Sequence, residues 1–327
     1  MKHFTYERAS DRTDAITQVA ANPQAKFIAG GTNFMDMWKE GVETPERLID
    51  IRKFPGEITV TDGTLRLDAT TTNSQVAYHS QVRDRYPVLS EAILAGASPQ
   101  LRNMATTGGN LMQRNRCSYF HDVSYPCNKR VPNSGCPAIE GINRMHAIFG
   151  TSDRCIAAHP SDMCVALAAL GAVVQTRKPD GETRNIAFKD FHLLPGDTPH
   201  IETALEHGEL IEAVEIPPLP WAKRSHYLKV RDRHSYAYAL VSAAVALEIE
   251  GDKIVNARVA MGGVGTKPWR SPEAENALIG AKNNEESFIA AASAALEGAK
   301  PYQYNVFKIE LAQSTLVQAL LTVNSEQ

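Results

Sequence analysis

The first part of the chain alternates short apolar runs with glycine-rich breaks. Residues 26–29 form an apolar run typical of a buried strand, residues 30–33 interrupt it, and residues 34–39 start a helical pattern. A second short apolar run covers residues 48–51. This order predicts a small α/β unit over about residues 1–55.

The pattern changes in the middle of the chain. Asp62-Gly63 separates two short apolar runs and predicts a β-hairpin, and Thr72 marks the start of a helix. Residues 99–160 show little periodicity and are rich in Gly, Asn, Pro, Arg and Cys. Because structureless segments of this length are usually functional or disordered, we expect long loops with a role in function.

Regular patterns return after residue 160. Ser161 is a predicted cap for an apolar helix from Asp162 to Leu170, which Gly171 closes. Strands are predicted at residues 172–176 and 183–186.

The run of prolines from Pro217 to Pro220 predicts a domain boundary. Beyond it, three apolar segments predict antiparallel strands, at residues 227–230, 239–250 and 254–262. The chain from Ser271 onward predicts two or three helices. The predicted fold is therefore α+β, with units at residues 1–55, 56–220 and 221–327.

Composition restricts the possible partners of the chain. The chain has 327 residues, of which 43% are hydrophobic and 22% charged, and its net charge of −3 favours neither nucleic acid nor an anionic membrane as a partner. No apolar run reaches the roughly 18 residues that a membrane-spanning helix needs. The first residues lack the apolar core of a signal peptide, so we expect no export signal in this chain.

Two glycine loops are candidates for phosphate binding. Residues 29–33 join a strand to a helix, and residues 105–111 combine threonines with glycines. Glycine lets the backbone approach a ligand closely. Each loop alone is equally explained as a plain turn, and neither is a P-loop or a GxGxxG fingerprint. Together they suit a diphosphate that is held from two sides, as in a bulky dinucleotide.

Five cysteines cluster within a short part of the chain. Four have the spacing Cys117-x9-Cys127-x8-Cys136-x18-Cys155, and Cys164 lies on the predicted apolar helix, where it is expected to pack in the core. Zinc sites and ferredoxin-type clusters usually contain closely spaced cysteines, and this segment has no close pair. The residues alone therefore leave an iron–sulfur cluster, zinc, disulfides and free thiols open.

Several motifs, taken in order, resemble the FAD-binding subunit of the xanthine dehydrogenase family, and most of all the middle subunit of periplasmic aldehyde oxidoreductases. The likeness runs from about residue 1 to residue 320. The motifs that carry it are residues 29–33, 102–111, 159–163, 229–233 with 235–237, and 262–264 with 267–270.

The resemblance implies a set of cofactor-binding residues and no catalytic residue in this chain. It places Asp162 near the adenosine half of FAD and Lys229 near the flavin ring. Without the resemblance, Asp162 would be an acid that offsets a helix dipole, and Lys229 a solvated strand lysine. The other implied FAD-binding residues are Lys26, Phe27, Ile28, Ala29, Gly30, Gly31, Thr32, Asn33, Phe34, Thr106, Thr107, Gly108 and Asn110.

The resemblance also favours one of the four alternatives for the cysteines. The periplasmic subgroup carries an insertion, here at about residues 112–158, whose four cysteines bind a 4Fe–4S cluster. Cys117, Cys127, Cys136 and Cys155 are the implied ligands. In the same scheme residues 1–55 and 56–220 are the two parts of an FAD-binding domain, and residues 221–327 are a C-terminal flavoprotein domain.

The implied function is electron transfer within a heterotrimeric molybdenum hydroxylase. A large partner would hold the molybdenum cofactor and oxidise an aldehyde to a carboxylic acid. A small partner with two 2Fe–2S clusters would relay electrons to FAD, which passes them to an external acceptor. The expected compartment is the periplasm, reached with a signal-bearing partner, or else the cytoplasm.

Three rival functions are compatible with parts of the sequence. The first is the flavin subunit of an aryl-CoA reductase or of another molybdenum hydroxylase. The second is a stand-alone FAD oxidase, which would need its own base beside the flavin. The third is a zinc-stapled scaffold protein without enzymatic activity.

Overall fold

Three separate β-sheets organise the chain in the computed structural model, which describes residues 3–325. The strands are β1 (Thr5–Arg8), β2 (Ala25–Ile28), β3 (Arg47–Asp50), β4 (Ile58–Thr61), β5 (Thr64–Asp68), β6 (Val173–Arg177), β7 (Thr183–Ala187), β8 (Leu210–Ile216), β9 (Ser225–Val230), β10 (Val241–Glu250), β11 (Lys253–Gly262) and β12 (Trp269–Arg270).

The helices lie on and between these sheets. They are α1 (Arg12–Ala20), α2 (Phe34–Lys39), α3 (Asn73–Tyr78), α4 (Ser80–Arg85), α5 (Pro87–Ala95), α6 (Pro99–Arg102), α7 (Thr107–Leu111), α8 (Ser118–His121), α9 (Asp162–Ala169), α10 (Phe188–Phe191), α11 (Pro272–Leu278), α12 (Glu285–Ala295) and α13 (Phe307–Ser325), with a 3₁₀ helix at Pro220–Lys223. No helix in the described part of the chain has the length and apolar character needed to cross a membrane.

The first sheet is parallel, in the order β1-β3-β2. Helix α1 covers it with Ala15, Ile16 and Val19, which pack against the buried Ile49 of the central strand. Since parallel strands need a crossover between them, this small α/β unit follows from the strand, glycine and helix pattern of the sequence. The prediction for this part is confirmed, although β1 and α1 were not predicted.

The second sheet is antiparallel, in the order β4-β5-β8-β6-β7. The predicted hairpin turns at Asp62 and Gly63, both with positive φ, at 49° and 81°. Strand β8 is the middle of this sheet, and the sequence did not predict it. Glu212 and Glu215 interrupt its apolar run at a spacing of three, which weakens the strand pattern.

Helix α9 is buried along its whole length and packs beside the second and third sheets. Ser161 caps it, because its hydroxyl accepts a hydrogen bond from the Cys164 amide at 3.1 Å. Gly171, with φ at +65°, follows the end of the helix. Both helix signals in the sequence are confirmed.

The third sheet is antiparallel, in the order β12-β11-β10-β9, and α11, α12 and α13 cover one face. These three helices match the prediction of two or three. The segment from residue 99 to residue 160 is mostly loop, as expected, and contains only three helices of four or five residues each.

Candidate cofactor cleft and cysteine pocket

A cleft of about 750 Å³ opens between the first and second sheets. This volume lies within the roughly 300–1,000 Å³ that is usual for ligand sites. Both glycine loops face it. The predicted residues that line it are Lys26, Phe27, Ile28, Ala29, Gly30, Gly31, Thr32, Asn33, Phe34, Thr106, Gly108 and Asn110.

The two glycine loops meet through their backbones. A Cβ atom on Gly30 would lie 1.9 Å from the carbonyl oxygen of Met104, so only glycine fits at this contact. Gly31 has a φ of +70°, in the left-handed region where a side chain causes strain. Gly30 therefore allows the two loops to touch, and Gly31 allows the first loop to turn. Main chain bounds the cleft beside these loops, as a diphosphate site requires.

Thr107 and Asn110 fix the second loop to its surroundings. The Thr107 amide donates to the Thr71 carbonyl at 2.8 Å, and its buried hydroxyl donates to the same oxygen at 3.2 Å. Thr107 therefore lies beneath the loop and does not line the cleft. Asn110 lines the cleft, and its side-chain oxygen accepts hydrogen bonds from Gln113 at 2.9 Å and from the Ser161 hydroxyl.

Asp162 and Lys229 form a buried ion pair, and neither residue lines the cleft. The Lys229 ammonium lies 2.8 Å from Asp162, and the two side chains are only 4% and 9% exposed. The Tyr227 hydroxyl donates to the other Asp162 oxygen at 2.7 Å. Lys229 is thus not a solvated strand lysine. Because the two residues touch, their predicted roles at adenosine and at flavin concern one place in the structure.

The four clustered cysteines share one small pocket, next to the cleft. Burial, with a smaller contribution from the neighbouring thiols, raises the pKa of Cys117 to about 12 and that of Cys155 to about 11. Burial and the nearby Cys127 also raise the pKa of Cys136. As free thiols these groups stay protonated, so a ligand that binds the thiolates must displace their protons.

N–H groups surround the sulfur atoms of this pocket. The Ala157 amide donates to the Cys155 sulfur at 3.5 Å, and the His146 Nε2 atom lies 3.1 Å from the Cys117 sulfur. Backbone amides of Tyr119 and Phe120 also donate to the Cys117 sulfur. Such N–H donors stabilise negative charge on thiolate sulfur. The donor set therefore suits an anionic group that is held by four thiolates.

The spacing of the thiols bears on the choice between metals. Within residues 3–325, the group of three possible ligands with donor atoms inside 4.8 Å of one another is His159, Cys164 and His192, so no three of the clustered thiols lie that close. A single zinc ion would hold its sulfurs about 3.8 Å apart, given Zn–S bonds of about 2.3 Å. The five cysteines form no disulfide. Cys164 is buried in α9, as predicted.

The cleft and the cysteine pocket share one wall, to which Asn115, Lys129 and Ala157 contribute. Each of these residues lines both cavities. A group in the cleft and a group in the pocket are therefore separated, at this wall, by a single layer of residues.

Paired charges hold this wall in place. Arg114 lies 2.6 Å from Glu43 and 2.5 Å from Glu202, and Glu202 also binds Lys129 at 2.6 Å, while Lys26 binds Glu43. Burial alone would raise the pKa of both carboxyl groups, but the cations beside them keep each pKa below its ordinary value. Both carboxylates are therefore charged at neutral pH, and their charges raise the pKa of Arg114 above its ordinary value.

Glu43 and Glu202 were not predicted as parts of the site. They lie 71 and 88 residues from Arg114 along the chain, so no local spacing connects them. His146 is not a predicted ligand, because four thiolates already saturate a cluster. No sequence pattern marks a residue that donates a hydrogen bond to a sulfur atom.

Two family models together span almost the whole chain. The FAD binding domain in molybdopterin dehydrogenase matches residues 2–219, and the CO dehydrogenase flavoprotein C-terminal domain matches residues 226–323.

Individual proteins agree with these matches. The aldehyde oxidoreductase FAD-binding subunit PaoB of Escherichia coli K12 is 50% identical, with 100% of both chains covered. The glyceraldehyde dehydrogenase medium chain of Sulfolobus acidocaldarius is 27% identical, with 86% of this chain and 83% of that protein covered. A reconstituted CO dehydrogenase from Oligotropha carboxidovorans shares the fold, with a TM-score of 0.78 at 23% identity over 100% of this chain and 99% of that one.

The resemblance that the motifs suggested thus extends over the full length of the chain, in both sequence and fold. The chain belongs to the FAD-binding subunits of the xanthine dehydrogenase, or molybdenum hydroxylase, family.

Proposed function

We propose that this chain is the FAD-binding, electron-transfer subunit of a molybdenum-containing aldehyde oxidoreductase that converts an aldehyde to a carboxylic acid. The main support is the 50% identity over the full length of an aldehyde oxidoreductase FAD-binding subunit. The proposed partners are a large subunit with the molybdenum cofactor and a small subunit with two 2Fe–2S clusters. The proposed compartment is the periplasm, reached together with a partner that carries an export signal.

In this proposal the chain's own task is to hold FAD and to set access to it. Bound FAD would supply the two-electron chemistry that links the iron–sulfur clusters to an external acceptor. Residues 26–34 and 106–110 would hold the diphosphate, since their main chain bounds the cleft. Lys229 would offset negative charge on a reduced flavin, and its buried pairing with Asp162 would keep the ammonium in place. No acid–base residue is assigned to catalysis.

We also propose that Cys117, Cys127, Cys136 and Cys155 bind a 4Fe–4S cluster. Two observations support this proposal: the four thiols share one pocket, and N–H groups contact the sulfurs of Cys117, Cys136 and Cys155. The thin wall at Lys129 and Ala157 would then put the cluster beside the FAD cleft.

The division of labour can be tested on the purified chain. We expect it to bind FAD and to show no aldehyde oxidation with dye acceptors, because substrate oxidation is assigned to the molybdenum subunit. The same chain in complex with its large and small partners should restore turnover. Substantial aldehyde oxidation by the chain alone would contradict the subunit assignment and favour a stand-alone oxidase.

Gly30 provides a test of the phosphate loops. Gly30→Ala should weaken FAD binding at least about tenfold, which corresponds to about 1.4 kcal/mol, because the new methyl group pushes the first loop away from the Met104 carbonyl. The measurement is FAD affinity by fluorescence titration. Gly251→Ala is the control, since Gly251 has a φ of +63° in a remote turn with open space around it. Equal FAD affinity in the two variants would show that the loop contact does not shape the site.

Replacement of each cysteine tests the cluster. The wild-type chain, purified without oxygen, should contain about four irons and four sulfides, as one 4Fe–4S cluster requires. Cys117→Ser, Cys127→Ser, Cys136→Ser or Cys155→Ser should each remove iron and destabilise the loop, because metal binding also contributes folding free energy. Cys164→Ala should keep all iron and cost on the order of 1 kcal/mol as a small core truncation. Stoichiometric zinc, or loss of iron only with Cys164→Ala, would refute the assignment.

A further inference from the structure

We propose that His146 donates a hydrogen bond to the Cys117 sulfur of the cluster, that Lys308 and Asn305 position it, and that this contact raises the reduction potential of the cluster. This inference rests on the 4Fe–4S cluster of the proposed function. It assigns His146 and Lys308 to the electronic tuning of that site.

The geometry around His146 assigns the donor. Its Nε2 atom lies 3.1 Å from the Cys117 sulfur, and the side chain lines the cysteine pocket and is almost fully buried. A thiolate that binds iron carries no proton, so the hydrogen of this contact must be on Nε2. The Nδ1 atom makes no hydrogen bond of normal geometry, and the weaker backbone contact of the imidazole is with Asn143. The ring therefore presents its N–H group to the sulfur.

The C-terminal part of the chain anchors the His146 main chain. The Lys308 ammonium donates to the His146 carbonyl at 2.9 Å and to the Gly263 carbonyl at 2.6 Å. The Asn305 side-chain amide donates to the same His146 carbonyl at 3.2 Å, and the His146 amide donates to the Asn143 carbonyl at 3.0 Å. These contacts fix where the imidazole can lie relative to Cys117.

Lys308 is unusual because it is completely buried at the start of α13. Lysine is almost never fully buried unless it is paired, and Lys308 forms no ion pair within residues 3–325. A 4Fe–4S cluster with four thiolates carries net negative charge in either oxidation state. Burial and the nearby Arg144 lower the pKa of Lys308 to about 7. An anionic group one residue away favours the charged form of this amine, which would in turn offset the charge of that group.

Both groups favour the reduced cluster. On reduction the cluster gains one electron and no proton, so its sulfurs carry more negative charge. A fixed N–H group pointing at a sulfur stabilises the more negative form and raises the reduction potential. Loss of the His146 donor should therefore lower the potential without removing a ligand.

The test compares three substitutions in the complete complex, with iron analysis and a redox titration followed by electron paramagnetic resonance. His146→Leu removes the donor, and we expect the complex to keep about eight irons, about four in this cluster and about four in the two 2Fe–2S clusters of the proposed small partner. We also expect the 4Fe–4S signal to have a lower midpoint potential. His146→Gln can keep an N–H group at the Nε2 position, so its potential should stay near that of the wild type. His121→Leu is the control, because His121 lies in the same segment and contacts Glu40 and the Asn115 carbonyl instead of a sulfur.

A fourth substitution tests whether Lys308 positions His146. Lys308→Met leaves the imidazole in the chain but removes the contact with the His146 carbonyl and the buried charge. We expect its midpoint potential to fall in the same direction as that of His146→Leu.

The outcomes separate this inference from the proposed function. An intact cluster with an unchanged potential in both His146→Leu and Lys308→Met would overturn the inference. Loss of iron from both His146 variants would assign His146 a purely structural role and would also overturn it. A wild-type complex that shows only 2Fe–2S signals and about four irons would instead contradict the proposed cluster.

Discussion

Arg114 makes the contact on which the arrangement of the two candidate sites depends. Its guanidinium binds Glu43, which follows α2, and Glu202, which lies before β8, and it sits 4.6 Å from the centre of the Phe120 ring. Removing one partner of a buried, hydrogen-bonded charge network costs about 3–5 kcal/mol, because the remaining charges lose their compensation. The first unit, the cysteine segment and the second unit are therefore held together at this point.

Arg114 lies between two candidate functional segments of the chain. Arg114 follows the second glycine loop and precedes Cys117 by three residues. Its side chain lines the cleft, and its main chain leads directly into the cysteine segment. Lys129, which lines both cavities, joins the same network through Glu202. The cysteine segment contains little apolar material. Charge pairing therefore orders one side of it and, in our proposal, the iron–sulfur cluster orders the other.

Local patterns predicted those parts of the fold that local chemistry determines. The turn at Asp62-Gly63, the capped helix after Ser161 and the long strands of the third sheet were all predicted from short windows. Strand β8 was not, because two glutamates break its pattern and its place in the sheet depends on partners from distant parts of the chain.

The candidate sites also combine residues that local patterns predict with residues that they do not. The glycines and cysteines can be recognised by residue type and clustering, so the residues of both loops and the four pocket cysteines could be named from the sequence. The Asp162–Lys229 pair and the Glu43–Arg114–Glu202 network join residues that are far apart in sequence, and only the folded chain brings them together. Their partners could be named only after the three sheets had been placed.

The most direct test of the shared wall is the content of FAD and iron per chain in Arg114→Met, compared with Arg116→Met. Both changes remove one arginine charge from the same segment, but Arg116 is one-third exposed and its nearest carboxylate, on Asp36, lies 3.7 Å away. A common wall predicts that Arg114→Met loses FAD and iron together while Arg116→Met keeps both. Full retention of both cofactors in Arg114→Met, or loss of one without the other, would contradict it.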